Sequence, residues 1–229
     1  MAGAVGDDEA GRRQAEALDA AGVDIRWLRR LAGVPTGTAF IQVDARGENT
    51  IVVVQGANAR VALPGGDVEA RVVVTQNEIP PAAQQAAGEL AARAGARLVI
   101  NAAPAPGSPP PWYGNADPLV VNEHEAAQLA ASNEAGAGLL RRLRERTGAR
   151  SVVMTLGERG ALVDDGTGVH AIPPVVVEQV VDATGAGDTF VGVLAARLAL
   201  GEGLVAAASA ANRFAAEAVT WSGARPPAE

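Results

Sequence analysis

The chain has no cysteine and no lysine, only two histidines, and no apolar run near the length needed to cross a bilayer. Without cysteine there can be no disulfide, no thiolate nucleophile and no thiolate-bound metal, and two lone histidines cannot build a typical zinc site. Without lysine there can be no Schiff base, and the lysine-bearing phosphate loop of the common NTPases is excluded. All 19 basic residues are therefore arginine, and any phosphate site must use backbone amides and guanidinium groups. Hard cations held by oxygen remain allowed. A formal net charge of -7 argues against nucleic acid as the main partner, because phosphate backbones attract basic surfaces. The N-terminal residues carry no basic start followed by an apolar stretch, so a cytoplasmic protein with no membrane partner is expected.

What is present is a globular composition of 48% hydrophobic and 20% charged residues, which argues against disorder over 229 residues. No composition shift divides the chain, and a single domain over 1–229 is expected. Residues 8–21 read as a helix closed by Gly22. Two β-rich runs, 39–43 and 50–54, flank the polar DARGEN segment and predict a hairpin, part of a flap over about 36–58. From residue 71 the pattern alternates: strand at 71–75, helix from Pro80-Pro81 to about Arg93, strand at 97–100. After a proline-rich loop at 103–112 come a strand at 117–121, a helix from Asn122, another helix carrying the arginines near 141–146, and a strand at 151–155. Strands at 160–164, 168–172 and 175–181 precede helices at 187–200 and 203–220. Such alternation predicts an α/β fold with a mainly parallel sheet, helices on its faces and a small β appendage.

The segment with most chemical content is VVDATGAGDTF at 180–190, where a strand gives way through glycines to a helix. Small residues at Gly185, Ala186 and Gly187 let a ligand approach the backbone, and the first amides of a helix attract anions. A carboxylate at Asp188 would stand beside that cradle, within reach of a hydroxyl attacking a bound phosphate. The plainer alternative is a tight turn with Asp188 capping the helix. A dinucleotide fingerprint fits poorly, since Phe190 stands where its third glycine belongs.

Taken in order along the chain, PTGTAFIQVDARGENTIVVVQGANA, QNEIP, VVNEHEAAQL, TLGERG, DATGAGDTF and NRFAAEAVTWSGARP resemble the motifs of the ribokinase-like (PfkB-type) carbohydrate kinases. The resemblance implies a three-layer α/β/α sandwich with a small β lid, and an ATP-dependent kinase acting on a sugar hydroxymethyl group. It implies that Asp188 is the general base and that Gly185, Ala186 and Gly187 form an anion hole for the leaving phosphoryl charge. Asn122 and Glu125 match the Asn-x-x-Glu pair that organises Mg²⁺ through waters, although the same spacing is also a capping box. Thr155, Leu156, Gly157, Glu158, Arg159 and Gly160 match a nucleotide-contacting turn that would otherwise read as a hairpin turn, and Asn212 matches a residue placed against adenine. Asp182, Thr184, Ala218, Trp221 and Gly223 match the ligands of a monovalent cation, K⁺, with Pro227 where relatives often offer serine. Glu78 matches an acidic residue holding sugar hydroxyls, against the reading of a solvated loop carboxylate. His124, His170 and Trp112 receive no role, the first as a solvent-facing helix residue and the others as packing.

The resemblance starts at about Val5, so the family's first strands, part of its lid and its Gly-Gly-Lys-Gly-Ala-Asn sugar motif have no counterpart here. The expected fold therefore lacks those strands, and weak turnover by these 229 residues is expected. The PTG, GEN and GANA stretches favour ribose, with fructose, 2-keto-3-deoxygluconate or a nucleoside as alternatives, a non-catalytic nucleotide-binding protein as a further one, and a homodimer through the lid as the expected association.

Overall fold

Apolar runs rich in β-branched residues at 72–75, 98–100, 119–121 and 152–154 are separated by alanine-rich stretches, so strand and helix alternate along the chain. The computed structural model describes residues 1–43, 49–63, 65, 66 and 68–225, with only the backbone described at 41–43 and 49–51. These fall into two compact units, Met1–Gly66 with Glu78–Ala86, and Asp67–Asn77 with Ala87–Glu229. Among the described residues no helix is long and apolar enough to cross a membrane.

In the first unit, β1 (Ala2–Gly6) and β2 (Trp27–Leu31) pair in parallel and are joined by α1 (Glu9–Ala20). Neither strand is legible beforehand: β1 is built of alanine and glycine around one valine, and β2 interrupts its apolar residues with two arginines. Asp8 caps α1 by accepting from the Gly11 N–H at 2.8 Å. The same carboxylate accepts from the Thr36 N–H at 2.8 Å and from its hydroxyl, while the Gly6 N–H donates to Thr36 Oγ1 at 2.9 Å. Those donors, the Thr36 hydroxyl first, hold the Asp8 carboxyl below its ordinary range. Thr36 is thereby fixed two residues before β3 (Thr38–Val43), which pairs antiparallel with β4 (Asn49–Val54) as the expected hairpin. Residues 44–48 of its connection lie outside the described residues.

The second unit is a six-stranded sheet in the order β10-β9-β8-β7-β6-β5. Its strands are β5 (Val72–Gln76), β6 (Arg97–Asn101), β7 (Leu119–Asn122), β8 (Val152–Thr155), β9 (Ala161–Asp164) and β10 (Val169–Ile172). β5 to β8 are mutually parallel, and β9 runs antiparallel to both its neighbours. Successive side chains point to opposite faces, so Leu98, Ile100, Leu119, Val121, Val152 and Met154 form one core with α3 (Glu123–Ala130) and α4 (Gly136–Thr147). Val99, Val120, Val153 and Val163 form the other with α5 (Ala186–Ala199) and α6 (Leu204–Ala218). Helices on both faces make this unit the expected α/β/α arrangement. α2 (Pro81–Ala94) connects β5 to β6. Leu139, Leu140 and Leu143 are fully buried on α4, and burial of each such side chain contributes about 2 kcal/mol.

One expected element is absent. The valine-rich run 175–181 is not a strand, because it has no neighbouring strand to pair with. It follows β10 at the sheet edge, begins after Pro173 and Pro174, which lack N–H groups, and touches α6 through the Val181 N–H, 2.8 Å from the Val219 carbonyl. Its valines are left largely at the surface, with Val176 at 92% exposure.

The α4 to β9 packing carries a charge. The Asp164 side chain is 3% exposed and accepts from Arg144 Nε at 2.9 Å and from the Gly166 N–H at 3.0 Å. Arg144→Ala leaves that carboxylate short of its cation and is expected to lower stability by about 2–3 kcal/mol in urea unfolding at neutral pH. A change below about 0.5 kcal/mol would show that the pair is dispensable.

Candidate active site

The turn that follows β8 and the 175–183 segment meet the start of α5 around one cavity. Parallel strands end there, and such ends are where α/β sheets hold ligands. β7 and β8 are in register so that Asn122 and Thr155 lie side by side at those ends. Asn122 then caps α3: its Oδ1 accepts from the Glu125 N–H and its own N–H donates to Glu125 Oε2, both at 2.8 Å. The capping-box alternative is therefore realised. His124 faces solvent, as expected.

From Thr155 the chain turns through Gly157–Arg159 into β9. Gly160 has φ +88, and a Cβ there would lie 2.2 Å from the Ile172 carbonyl, so only glycine fits between β9 and β10. Thr155, Gly157, Glu158 and Gly160 line a cavity of about 430 Å³. Leu156 instead packs on the α3/α4 core, and Arg159 forms an exposed ion pair with Glu123.

The opposite wall of the cavity is the start of α5. Gly185 takes φ +82 as the residue before the helix, and a Cβ there would meet Ala224 Cα at 2.9 Å. The Ala186 N–H donates to the Ala183 carbonyl at 3.3 Å and the Thr189 N–H to Gly185 at 2.8 Å. Among the described residues no acceptor meets the N–H groups of Gly185, Gly187 or Asp188. Ala186 and Gly187 line the cavity, with open space where a Gly187 side chain would stand. Asp188 is exposed in the same turn and has no hydrogen-bond or ion-pair partner among the described residues. A helix start with unpaired amides is a site for anionic oxygen, and a carboxylate at its side can take a proton.

The turn is braced from behind. Asp182 Oδ1 accepts from the Thr184 N–H at 2.9 Å and Oδ2 from the Gly223 N–H at 2.8 Å, and the Thr184 hydroxyl first, then these two amides, lower its pKa. The Val219 carbonyl receives both the Val181 and Asp182 N–H groups. Asp182, Thr184 and Gly223 are thus brought together beside Ala218 and Trp221 at the end of α6, while Pro227 lies outside the described residues. His170 pairs with Asp165 at 3.0 Å, and Trp112 packs on the α3/α4 core.

Asn212, 8% exposed, lines the cavity from α6 and donates through Nδ2 to the Pro173 carbonyl at 3.0 Å, which leaves Oδ1 for a ligand. The apolar wall around it was not anticipated. Ala215, Ala216 and Val219 follow Asn212 at spacings of three, four and seven, one helix face, and Val175, Val177, Val180 and Phe190 complete the wall. The α6 spacing is visible in the sequence, but it is the same signal that ordinary core packing gives. The valines were masked by their strand-like composition. Glu78 is exposed in the turn after β5 and belongs to the first unit.

The profile of the pfkB family carbohydrate kinases matches residues 1–229. The chain is 31% identical to the ribokinase of Schizosaccharomyces pombe over 236 residues, covering 98% of this chain and 74% of that protein. It is 35% identical to the ribokinase of Mus musculus over 208 residues, covering 85% of this chain and 64% of that one. Among solved structures, Arabidopsis thaliana ribokinase complexed with ribose and ATP superposes with a TM-score of 0.86 at 26% identity, covering 97% of this chain and 76% of that chain.

Glu125 is half-buried, and that desolvation raises its pKa above the ordinary glutamate value, with the Asn122 N–H and His124 offsetting part of the rise. A raised carboxyl pKa means that the folded state holds the proton more tightly than the unfolded chain. Stability from this group is therefore present at low pH and is lost as pH climbs from about 4.3 through the folded value. Glu125→Gln keeps an acceptor for the cap and removes the titration. Its stability relative to the parent is expected to improve between pH 4 and pH 7 in urea midpoints, and a relative decline would contradict the assignment.

Proposed function

Since the chain belongs to the pfkB family of carbohydrate kinases, we propose that it transfers the γ-phosphoryl group of ATP to the terminal hydroxymethyl group of a sugar, D-ribose being the first choice. The observation that carries this reading is the first turn of α5, where the N–H groups of Gly185, Gly187 and Asp188 meet no acceptor among the described residues and the exposed Asp188 follows Gly187, which lines the cavity. The ribokinases compared above support ribose.

In the proposed reaction the hydroxyl oxygen bonds to the γ-phosphorus while the bond from phosphorus to the bridging oxygen of the leaving diphosphate breaks, and Asp188 accepts the hydroxyl proton. The Gly185–Gly187 turn serves as the anion hole: its free amides face the negative charge that gathers on the transferring group and need no reorganisation. The apolar wall with Asn212 suits the base of a nucleotide, its free Oδ1 accepting from an amino group, and Thr155, Gly157, Glu158 and Gly160 form the opposite wall. Glu78 is proposed to bind sugar hydroxyls.

Two cations fit the residues present. Asn122 and Glu125 have already committed one oxygen each to the capping box, and among the described residues no group of three acidic or histidine side chains could hold a metal. That donor set suits Mg²⁺ kept in its water shell, where it would offset phosphate charge. Asp182 is met only by backbone and hydroxyl donors and by no basic side chain among the described residues. It would hold K⁺ with Thr184, Ala218, Trp221 and Gly223.

The lid hairpin is proposed to pair with a second copy. Phe40 and Val52 are directly opposed across β3 and β4, share one face, and are 63% and 58% exposed. Such a patch on a hairpin favours burial against a partner. Phe40→Asp is expected to convert a dimer to a monomer in light scattering, and a parent that is already monomeric would refute this association.

Asp188→Asn is expected to lower kcat by about 10²- to 10⁴-fold while nucleotide affinity stays within a few-fold. Phosphate transfer should be assayed with ribose, fructose, 2-keto-3-deoxygluconate and adenosine as acceptors. Nucleotide binding without transfer to any of them would make this a non-catalytic nucleotide-binding protein, and unimpaired transfer by the variant would remove Asp188 as the base.

A further inference from the structure

The chain's single tyrosine, Tyr113, is completely buried, lying in the α3/α4 core with Ala102, Ala116 and Leu119. A phenylalanine would fill the same space without placing a hydroxyl in an apolar interior, where a polar group is unfavourable unless it is hydrogen-bonded. Among the described residues the hydroxyl reaches one side chain, Asn77: it lies 2.8 Å from Nδ2 and 3.1 Å from Oδ1. Asn77 Nδ2 is also 2.7 Å from the Pro104 carbonyl, and the Asn77 N–H donates to the Ala103 carbonyl at 3.2 Å. The first residue after β5 is thus held by three groups from the β6 to β7 connection. Burial raises the phenol's pKa, so it remains a neutral donor and acceptor in the physiological range.

The next residue in the chain is Glu78, one peptide unit and about 3.8 Å of backbone away. The position of a carboxylate at the start of a turn depends on the backbone that enters the turn. We propose that Tyr113 is a positioning residue for sugar binding, fixing through Asn77 the backbone from which Glu78 is presented. This rests on the sugar-binding role proposed above for Glu78. Tyr113 touches no substrate in this scheme.

Tyr113→Phe removes one oxygen atom and keeps the ring. KM for ribose is expected to rise about three- to tenfold, the range set by loss of one net hydrogen bond, with kcat and KM for ATP within twofold and Tm little changed. In an Asn77→Leu background the same substitution is expected to change KM for ribose by less than about twofold, since the contact has already gone. An unchanged KM for ribose in Tyr113→Phe overturns the inference, as does an equal rise for both substrates accompanied by a lower Tm, which marks a merely structural hydroxyl. Should Tyr113→Phe fail to fold, Asn77→Ser keeps the backbone bond to Ala103 and is expected to show the same split between ribose and ATP. If the parent chain phosphorylates none of the four acceptors, the kinase reading itself fails and this inference falls with it. If the parent is active and the split is absent, only the positioning role is lost.

Discussion

The candidate site depends on the left-handed turn at Gly185. A helix can offer unpaired amides only at its first turn, and the chain must enter that turn without covering them. Here the entry is made by a residue with φ +82, packed so closely on Ala224 that a methyl group has no room. Asp182 then holds the entering segment, accepting from the Thr184 N–H within it and from the Gly223 N–H in the stretch beyond α6. The orientation of the Gly187 and Asp188 N–H groups follows from these constraints, and so does the placing of the Asp188 carboxylate in the same turn. With no lysine in the chain, anion binding in the proposed reaction would fall to these backbone amides rather than to a side-chain ammonium.

The sheet supplies the other half. β7 and β8 end in register, which sets Asn122 beside Thr155, and glycine at 160 lets the chain enter β9 tightly against the end of β10. Alanines on α6 keep the wall beside Asn212 smooth and apolar, while the capping box fixes the direction in which α3 leaves. The box leaves Glu125 Oε1 and the second lone pair of Asn122 Oδ1 unused, so a water-mediated cation would not have to break it. The half-burial that raises the Glu125 pKa is also what would make a nearby cation favourable.

Much of the second unit was legible because its signals are local. Valine runs bounded by turn residues, Asn122 with Glu125 three residues on, and glycines at 185 and 187 each announce a backbone state within a few residues. The failures have a common cause. β1 and β2 have little intrinsic strand preference and exist because each finds the other across α1. The run 175–181 has strong strand preference and finds no partner strand, so its valines line a cavity or face solvent. Strand propensity describes fit to a neighbour, and the neighbour is not written locally.

Sequence alone determined the family, through the ordered series of motifs, and the missing cysteine and lysine excluded thiolate and lysine chemistry, which is why the proposal rests on backbone amides and a carboxylate. Tertiary structure decided which groups share that site. It placed Thr155, Gly157 and Gly160 on the cavity while turning Leu156 into the core and Arg159 toward Glu123. It also joined Tyr113 to Asn77 across 36 residues. Local backbone preference is encoded over three to five residues and can be read there, whereas the meeting of distant side chains is set by sheet register and core packing, which exist only once the whole chain has folded.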